Sequence, residues 1–201
     1  MNKKIFLKSI ICVLLALIII GASKRYVANK KCIVPRQMNE LINQGLYDKA
    51  IEIGKKELEQ DPKNYLIYSV IGNAYIHKKE YDIALENFKT SLELNKNNFS
   101  TSYFYTYIEI ALCYRAKDMY EEAIKILKYV IDQKSKSSSI KEQAYKLLIE
   151  IYIKKGMIRE AALAGLQKEG VNNPSEELMQ GAIKIVEREY EKYKDMKNDK
   201  Q

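Results

Sequence analysis

Apolar and small residues recur through most of the chain with the spacing of amphipathic helices. In the 34 residues from Tyr65 to Asn98, counted from Tyr65 as position 1, they occupy positions 4, 7, 8 and 11 of a first segment. In the segment that follows they occupy positions 20, 24 and 27 of the same count. Residues at these intervals share one face of a helix. Gly72 and Ala84 stand where the two helix axes would approach most closely, which requires small side chains. The pattern therefore predicts an antiparallel pair of helices, joined by a turn at residues 78–80.

Four copies of this helix pair are predicted, and they cover residues 31–64, 65–98, 104–137 and 142–175. The second copy is the most regular, and its characteristic residues are Tyr68, Ile71, Gly72, Tyr75, Tyr81, Ala84 and Phe88. These residues resemble the tetratricopeptide repeat, a unit of about 34 residues with the pattern W-x2-LG-x2-Y followed by a small and an aromatic residue. The first copy lacks the LG and the Tyr, and Ile149 replaces the small residue in the fourth.

The resemblance implies an all-α fold, a right-handed superhelical solenoid of antiparallel helix pairs. We expect this solenoid to follow an N-terminal apolar helix. One pair cannot bury its own apolar faces, so neighbouring pairs must stack into a continuous core. About four repeats and a capping helix, 174–196, are predicted to form a domain over residues 31–196, with a tail at 197–201. We expect Asn173 to cap the last helix and Pro174 to lie in its first turn. Its apolar stripe is predicted to comprise Leu178, Ala182, Ile185, Val186, Tyr190 and Tyr193.

The first 23 residues differ in composition from the rest and predict a membrane segment. Three lysines precede an uncharged run of 14 residues, which is short because spanning the hydrocarbon takes roughly 20 helical residues. If Lys8 extends its ammonium to the headgroups, residues 5–23 suffice for a single span, followed by a basic linker at 24–30. Dense Ile and Leu favour an uncleaved anchor, whereas Gly21, Ala22 and Ser23 favour a cleaved signal peptide. A count of basic residues on the two sides slightly favours a cytoplasmic repeat domain, whereas a short basic N-tail before one apolar segment usually directs the following chain across the membrane. We favour a single-pass anchor with the repeats on the extracytoplasmic side.

Composition and motifs narrow the possible functions. The chain has 34 Lys and Arg against 26 Asp and Glu, a formal charge of +8, but the two signs are interleaved. We therefore expect no nucleic-acid partner. A single histidine, His77, excludes any site that needs two imidazoles, and the three cysteines form no CxxC pair. We expect no enzymatic activity, no cofactor and no metal, and Cys113 is predicted to be a small buried residue.

Tyrosines at recurring repeat positions are predicted to be core residues, namely Tyr68, Tyr75, Tyr107, Tyr114, Tyr145 and Tyr152. Tyr103 and Tyr105 fall outside those positions, so we expect both to be exposed.

The resemblance also implies a binding groove lined by the first helix of each copy. The predicted groove residues are Asn39, Asn73, His77, Tyr105, Glu109, Arg115, Lys146, Glu150 and Lys154. They mix both charges with polar and aromatic groups, unlike the Lys, Asn and Arg set by which some members of the family hold a C-terminal carboxylate. A short extended or helical peptide, or a protein surface, is the expected partner, because a preformed groove avoids much of the ordering cost.

Taken together, the sequence predicts a non-enzymatic, membrane-tethered scaffold or adaptor that binds a protein or peptide partner. The alternative is a secreted or extracytoplasmic assembly or chaperone-like factor, released by signal cleavage.

Overall fold

The computed structural model describes residues 33–97, 100–133 and 138–198. The predicted membrane segment and the basic linker lie outside the described residues. Within those ranges, no helix has the length and apolar composition needed to span a membrane.

The described ranges contain nine helices and no strand. Helix α1 covers residues 33–43 of the described chain. The others are α2 (Tyr47–Gln60), α3 (Tyr65–His77), α4 (Tyr81–Leu94), α5 (Thr101–Ala116), α6 (Tyr120–Asp132), α7 (Ser138–Lys154), α8 (Ile158–Lys168) and α9 (Glu176–Asn198). Helices α1, α3, α5 and α7 are the first helices of the four predicted pairs, and α2, α4, α6 and α8 are the second helices. The predicted all-α architecture of successive helix pairs is confirmed for this part of the chain.

The helix pairs stack on one another in chain order. From α2 onward, every helix packs against the next one, both within pairs and between them. First helices also contact each other across pairs, α3 with α5 and α5 with α7, and the capping helix α9 contacts α7 in the same way. At the N-terminal end, Met38 of α1 belongs to the same buried cluster as Ala50 of α2 and Ile67 of α3. This stacking gives the continuous core that an isolated pair cannot form.

Every first helix ends in the same left-handed turn. The residue at repeat position 15 has a positive φ in all four copies: 76° at Gly45, 61° at Lys79, 57° at Asp118 and 70° at Gly156. In each case the next residue donates its backbone N–H to the carbonyl five residues earlier, at distances between 2.8 and 2.9 Å. This is the Schellman arrangement, which satisfies the last carbonyls of a helix. Only two of the four positions carry the glycine that the conformation favours.

The prediction that Tyr103 is exposed is wrong, because its side chain is only 8% exposed. Helix α5 begins at Thr101, three residues before the predicted start of the third copy. The additional turn carries Tyr103 into the core, where its ring packs edge-on against Phe104 at 5.5 Å and Tyr107 at 5.3 Å. Tyr105 is half-buried.

Helix α9 differs from the prediction in its start and in its buried face. It begins at Glu176, and the Ser175 hydroxyl, not Asn173, accepts the capping hydrogen bond from the Leu178 N–H at 3.3 Å. Met179 and Val186 are buried, whereas Leu178 and Ile185 are 45% and 63% exposed. Adjacent residues on a helix point about 100° apart. The row that contains Leu178 and Ile185 and the row that contains Met179 and Val186 therefore cannot both face the repeats. The packing against α7 and α8 selects the row of Met179 and Val186.

Candidate partner-binding surface

All nine predicted groove residues lie on first helices. Helix α1 carries Asn39, α3 carries Asn73 and His77, α5 carries Tyr105, Glu109 and Arg115, and α7 carries Lys146, Glu150 and Lys154. Because α3, α5 and α7 contact each other side by side, the corresponding positions of these three helices form one surface. We call it the inner surface.

Direct contacts join the α5 and α7 parts of the inner surface. The guanidinium Nη1 of Arg115 lies 2.5 Å from Oε2 of Glu150, and Nζ of Lys154 lies 3.5 Å from the other carboxylate oxygen. Toward the opposite end of α5, Nε2 of Gln143 donates to the Tyr105 hydroxyl at 3.4 Å. Arg115, Glu150 and Lys154 are therefore brought together as one charged group, and Tyr105 faces the same neighbouring helix.

The other predicted groove residues are not drawn into that group. Lys146 pairs with Glu142 on its own helix at 2.7 Å. The exposed His77 ring stacks on Tyr47 of α2, with centroids 5.2 Å apart and planes 11° from parallel. Asn39 is exposed and Asn73 is half-buried, each on the first helix of its own copy.

Glu109 differs from the other charged residues of the predicted groove in its surroundings. Its side chain is half-buried, and among the described residues it forms no hydrogen bond or ion pair. Burial raises the pKa of its carboxyl above the ordinary value of 4.5. One turn further along α5, Cys113 is fully buried, as predicted, and burial together with the charge of Glu109 raises the pKa of its thiol to about 12. A thiol in this state is a packing residue and a poor nucleophile.

Sequence reasoning missed a set of ion pairs that link successive copies. Nζ of Lys78 lies 2.8 Å from Oδ1 of Asp48 in the preceding copy. In the same arrangement, Lys117 pairs with Asp82, and Lys155 pairs with Glu121. The signal is visible in the sequence, because each basic partner stands at position 14 and each acidic partner at position 18. Each of these pairs therefore joins the start of one second helix to the end of the next first helix.

The series of ion pairs does not continue beyond the first and fourth copies of the described chain. Position 14 of the first copy is Gln44, and position 18 of the fourth copy is Arg159. Arg159 instead approaches Glu176 of α9, with Nη2 3.7 Å from Oε2.

No protein-family model matches the sequence. A tetratricopeptide-repeat-containing protein of Methanocaldococcus jannaschii is 26% identical over 125 residues, which are 62% of this chain and 20% of that protein. The chain thus spans only 20% of the length of this relative.

Solved structures of similar fold include the following two. The first tetratricopeptide domain of Spaghetti (RPAP3), bound to the HSP90 peptide SRMEEVD, has a TM-score of 0.52 and 23% identity, covering 64% of this chain and 94% of that one. MamA from Desulfovibrio magneticus RS-1 has a TM-score of 0.56 and 17% identity, covering 69% and 73%. The fold is that of a tetratricopeptide-repeat array.

This tetratricopeptide array also carries a hollow that the sequence did not predict. It lies between α5 and α6, has a volume of about 440 Å³ and is lined by Tyr107, Tyr114, Glu122, Lys125, Ile126 and Tyr129. The ring centroids of Tyr107 and Tyr129 are 5.1 Å apart, and burial raises the pKa of Tyr107.

Of the six tyrosines predicted to be core, only Tyr152 is fully buried, and the other five are half-buried. A tyrosine ring can pack on a helix while the residue stays partly accessible to solvent.

Among the described residues, no group of three or more His, Cys, Asp or Glu side chains is placed to hold a metal ion.

Proposed function

We propose that this chain is a membrane-tethered interaction scaffold, which binds a peptide or protein on the inner surface formed by α3, α5 and α7. The observation that carries the proposal is the continuity of that surface between copies. Arg115 reaches Glu150 and Tyr105 reaches Gln143, so a partner lying across the first helices contacts more than one repeat at once. A rigid, preformed surface of this kind binds an extended segment without a large ordering cost. The similar RPAP3 domain, which holds the peptide SRMEEVD, supports the same use of the fold.

The tether is the apolar segment at residues 5–23, with basic residues on both sides. We place the repeats on the extracytoplasmic side, because a short basic N-tail before one apolar segment usually directs the following chain across the membrane. The small residues Gly21, Ala22 and Ser23 favour the alternative, a chaperone-like factor released by cleavage. N-terminal sequencing of the mature protein separates the two, since a chain that starts near Lys24 has lost its tether.

Site-specific photocrosslinking tests the inner surface. The experiment uses the full chain in its native membrane, with a photoreactive phenylalanine at one of two positions. Leu112 is half-buried on α5, one turn after Glu109, and Lys89 is exposed on α4. We expect a discrete adduct from position 112 that is lost with Arg115→Glu, and no such adduct from position 89. Equal adducts from both positions, unaffected by Arg115→Glu, would refute the inner surface as the binding site.

A further inference from the structure

Some charged side chains of the inner surface have a partner of opposite charge in the described chain, and others do not. Of its predicted basic residues, Arg115 and Lys154 share the carboxylate of Glu150, and Lys146 pairs with Glu142. An incoming acidic group therefore meets cations that already have partners in the described chain. It would have to displace a carboxylate before it could bind.

Glu109 is the opposite case. It lies in the middle of α5, its carboxylate has no partner among the described residues, and the protein around it has removed part of its hydration. A partly desolvated carboxylate without a counter-charge is costly, and a cation that reaches it repays that cost with a charge-assisted hydrogen bond.

The neighbours of Glu109 suit a long basic side chain. Tyr105 stands one turn before it and Leu112 one turn after it, at the i−4 and i+3 positions that adjoin it on the helix surface. Both are half-buried. The aliphatic stem of a lysine or arginine could lie along these two residues while its charged head reaches the carboxylate.

We infer that the partner presents a lysine or arginine side chain to Glu109, so that the inner surface selects a basic segment. The inference rests on the proposed peptide-binding function and assigns the chemistry of its ligand. It sets this chain apart from the similar RPAP3 domain, whose peptide SRMEEVD carries three acidic residues near its end.

Selection from a random heptapeptide library displayed on phage tests the inference. The target is the full chain in detergent, with Glu109→Gln as the variant and Glu86→Gln, an exposed residue on α4, as the matched control. The Gln side chain preserves the shape of Glu, and circular dichroism verifies that each variant folds. We expect the parent and Glu86→Gln to enrich peptides with Lys or Arg at one fixed position. Binding of the enriched peptides to Glu109→Gln should be weaker by roughly ten-fold or more, the usual effect of losing a hydrogen bond between charged groups.

The remaining outcomes separate the two proposals. Enriched peptides that are acidic, or SRMEEVD binding as tightly as the enriched peptides, would overturn the basic-segment inference and leave peptide binding intact. Basic peptides that bind Glu109→Gln as well as the parent would overturn the role of Glu109. The absence of any enriched peptide would contradict the proposed function itself.

Discussion

The side chain of Met38 in α1 packs directly over the α-carbon of Gly54 in α2. A Cβ atom on Gly54 would lie 2.6 Å from the Met38 Cε, so the methionine occupies the space that any larger residue would need. In the second copy the same two repeat positions are exchanged. There Gly72 lies on the first helix, and a Cβ on it would lie 2.7 Å from the ring of Phe88 on the second helix.

The fourth copy repeats the arrangement of the first, with Ile149 on the first helix and Gly165 on the second. In these three copies, positions 8 and 24 therefore share one volume, which either helix can fill. The fit is looser in the fourth copy, because a Cβ on Gly165 would lie 4.0 Å from Ile149 Cδ1, an ordinary contact.

Alanine substitutions at two helical glycines should have opposite effects. Gly72→Ala forces the Phe88 ring to move, and overpacking of this kind costs about 1–3 kcal/mol, more than the roughly 1 kcal/mol that alanine returns in helix propensity. Gly165→Ala meets no close atom and should stabilise the fold by about 0.5–1 kcal/mol. Urea unfolding of the two variants and the parent measures both changes. Changes of the same sign in the two variants would contradict the shared-volume explanation.

The sequence predicted the helix pairs but not this exchange, for a physical reason. A pattern scores each position separately, so the missing LG of the first copy and Ile149 of the fourth count only as departures from the repeat pattern. The packing constraint acts on the sum of two side chains that lie 16 residues apart. The glycines Gly54 and Gly165 at position 24 carried the missing information, and comparing the two positions would have recovered it.

The left-handed turn at Lys79 predicts a stabilising substitution. A residue with a side chain pays about 1 kcal/mol or more to adopt this conformation, and glycine does not. Lys79→Gly should therefore raise the free energy of unfolding by about 0.5 kcal/mol, after the greater freedom of glycine in the unfolded chain is subtracted. Gly45→Ala is the matched control at the same position of the first copy, where a Cβ would have no atom within 4 Å.

The Gly45→Ala control reports the backbone conformation alone, because a Cβ at residue 45 would have no atom within 4 Å. Gly45→Ala should lower the free energy of unfolding by about 1 kcal/mol. Thermal melts of both variants give the comparison. A destabilising Lys79→Gly would mean that the lysine side chain contributes more than the turn conformation costs.

The ion pair between Lys117 and Asp82 should be weakly coupled and sensitive to salt. The Asp82 side chain is 83% exposed and that of Lys117 is 30% exposed, which is typical of pairs worth about 0.2–1 kcal/mol. A double-mutant cycle with Asp82→Asn and Lys117→Met should give a coupling energy in this range that falls in 1 M salt. A cycle of Asp82→Asn with Lys125→Met, whose lysine lies on α6, should give none. Equal coupling in the two cycles would exclude a specific pair.

The inner surface was predictable in its location but not in its charges. Repeat positions alone put Arg115 and Glu150 on first helices, because that follows from the helical period. Which carboxylate is paired depends on distances between side chains of successive copies, and repeat positions do not give those distances. Hence Glu150 and Glu109, both predicted groove residues, differ in a way that only the three-dimensional arrangement reveals: one binds two cations, and the other binds none among the described residues.

Glu109 should make the stability of the fold depend on pH in a direction opposite to that of a paired carboxylate. Burial raises its pKa above the ordinary value of 4.5, so the folded state holds the proton more tightly than the unfolded chain does. The ionised group therefore destabilises the fold at pH 7, and this cost disappears as the pH falls through the raised pKa to below 4.5. Glu109→Gln should accordingly raise the free energy of unfolding at pH 7 and have little effect at pH 4.

Glu150→Gln on the neighbouring helix is the control, because it breaks the contacts with Arg115 and Lys154 and should lower stability at pH 7. Urea unfolding of Glu109→Gln and the parent between pH 4 and pH 8 gives the pH profile, and Glu150→Gln is compared with both at pH 7. A Glu109→Gln variant that is less stable than the parent at pH 7 would show that the carboxylate already has a cationic partner within the chain. In that case the inner surface would hold no vacant anionic position for a basic segment, and the selectivity inferred for it would fail together with the pH profile.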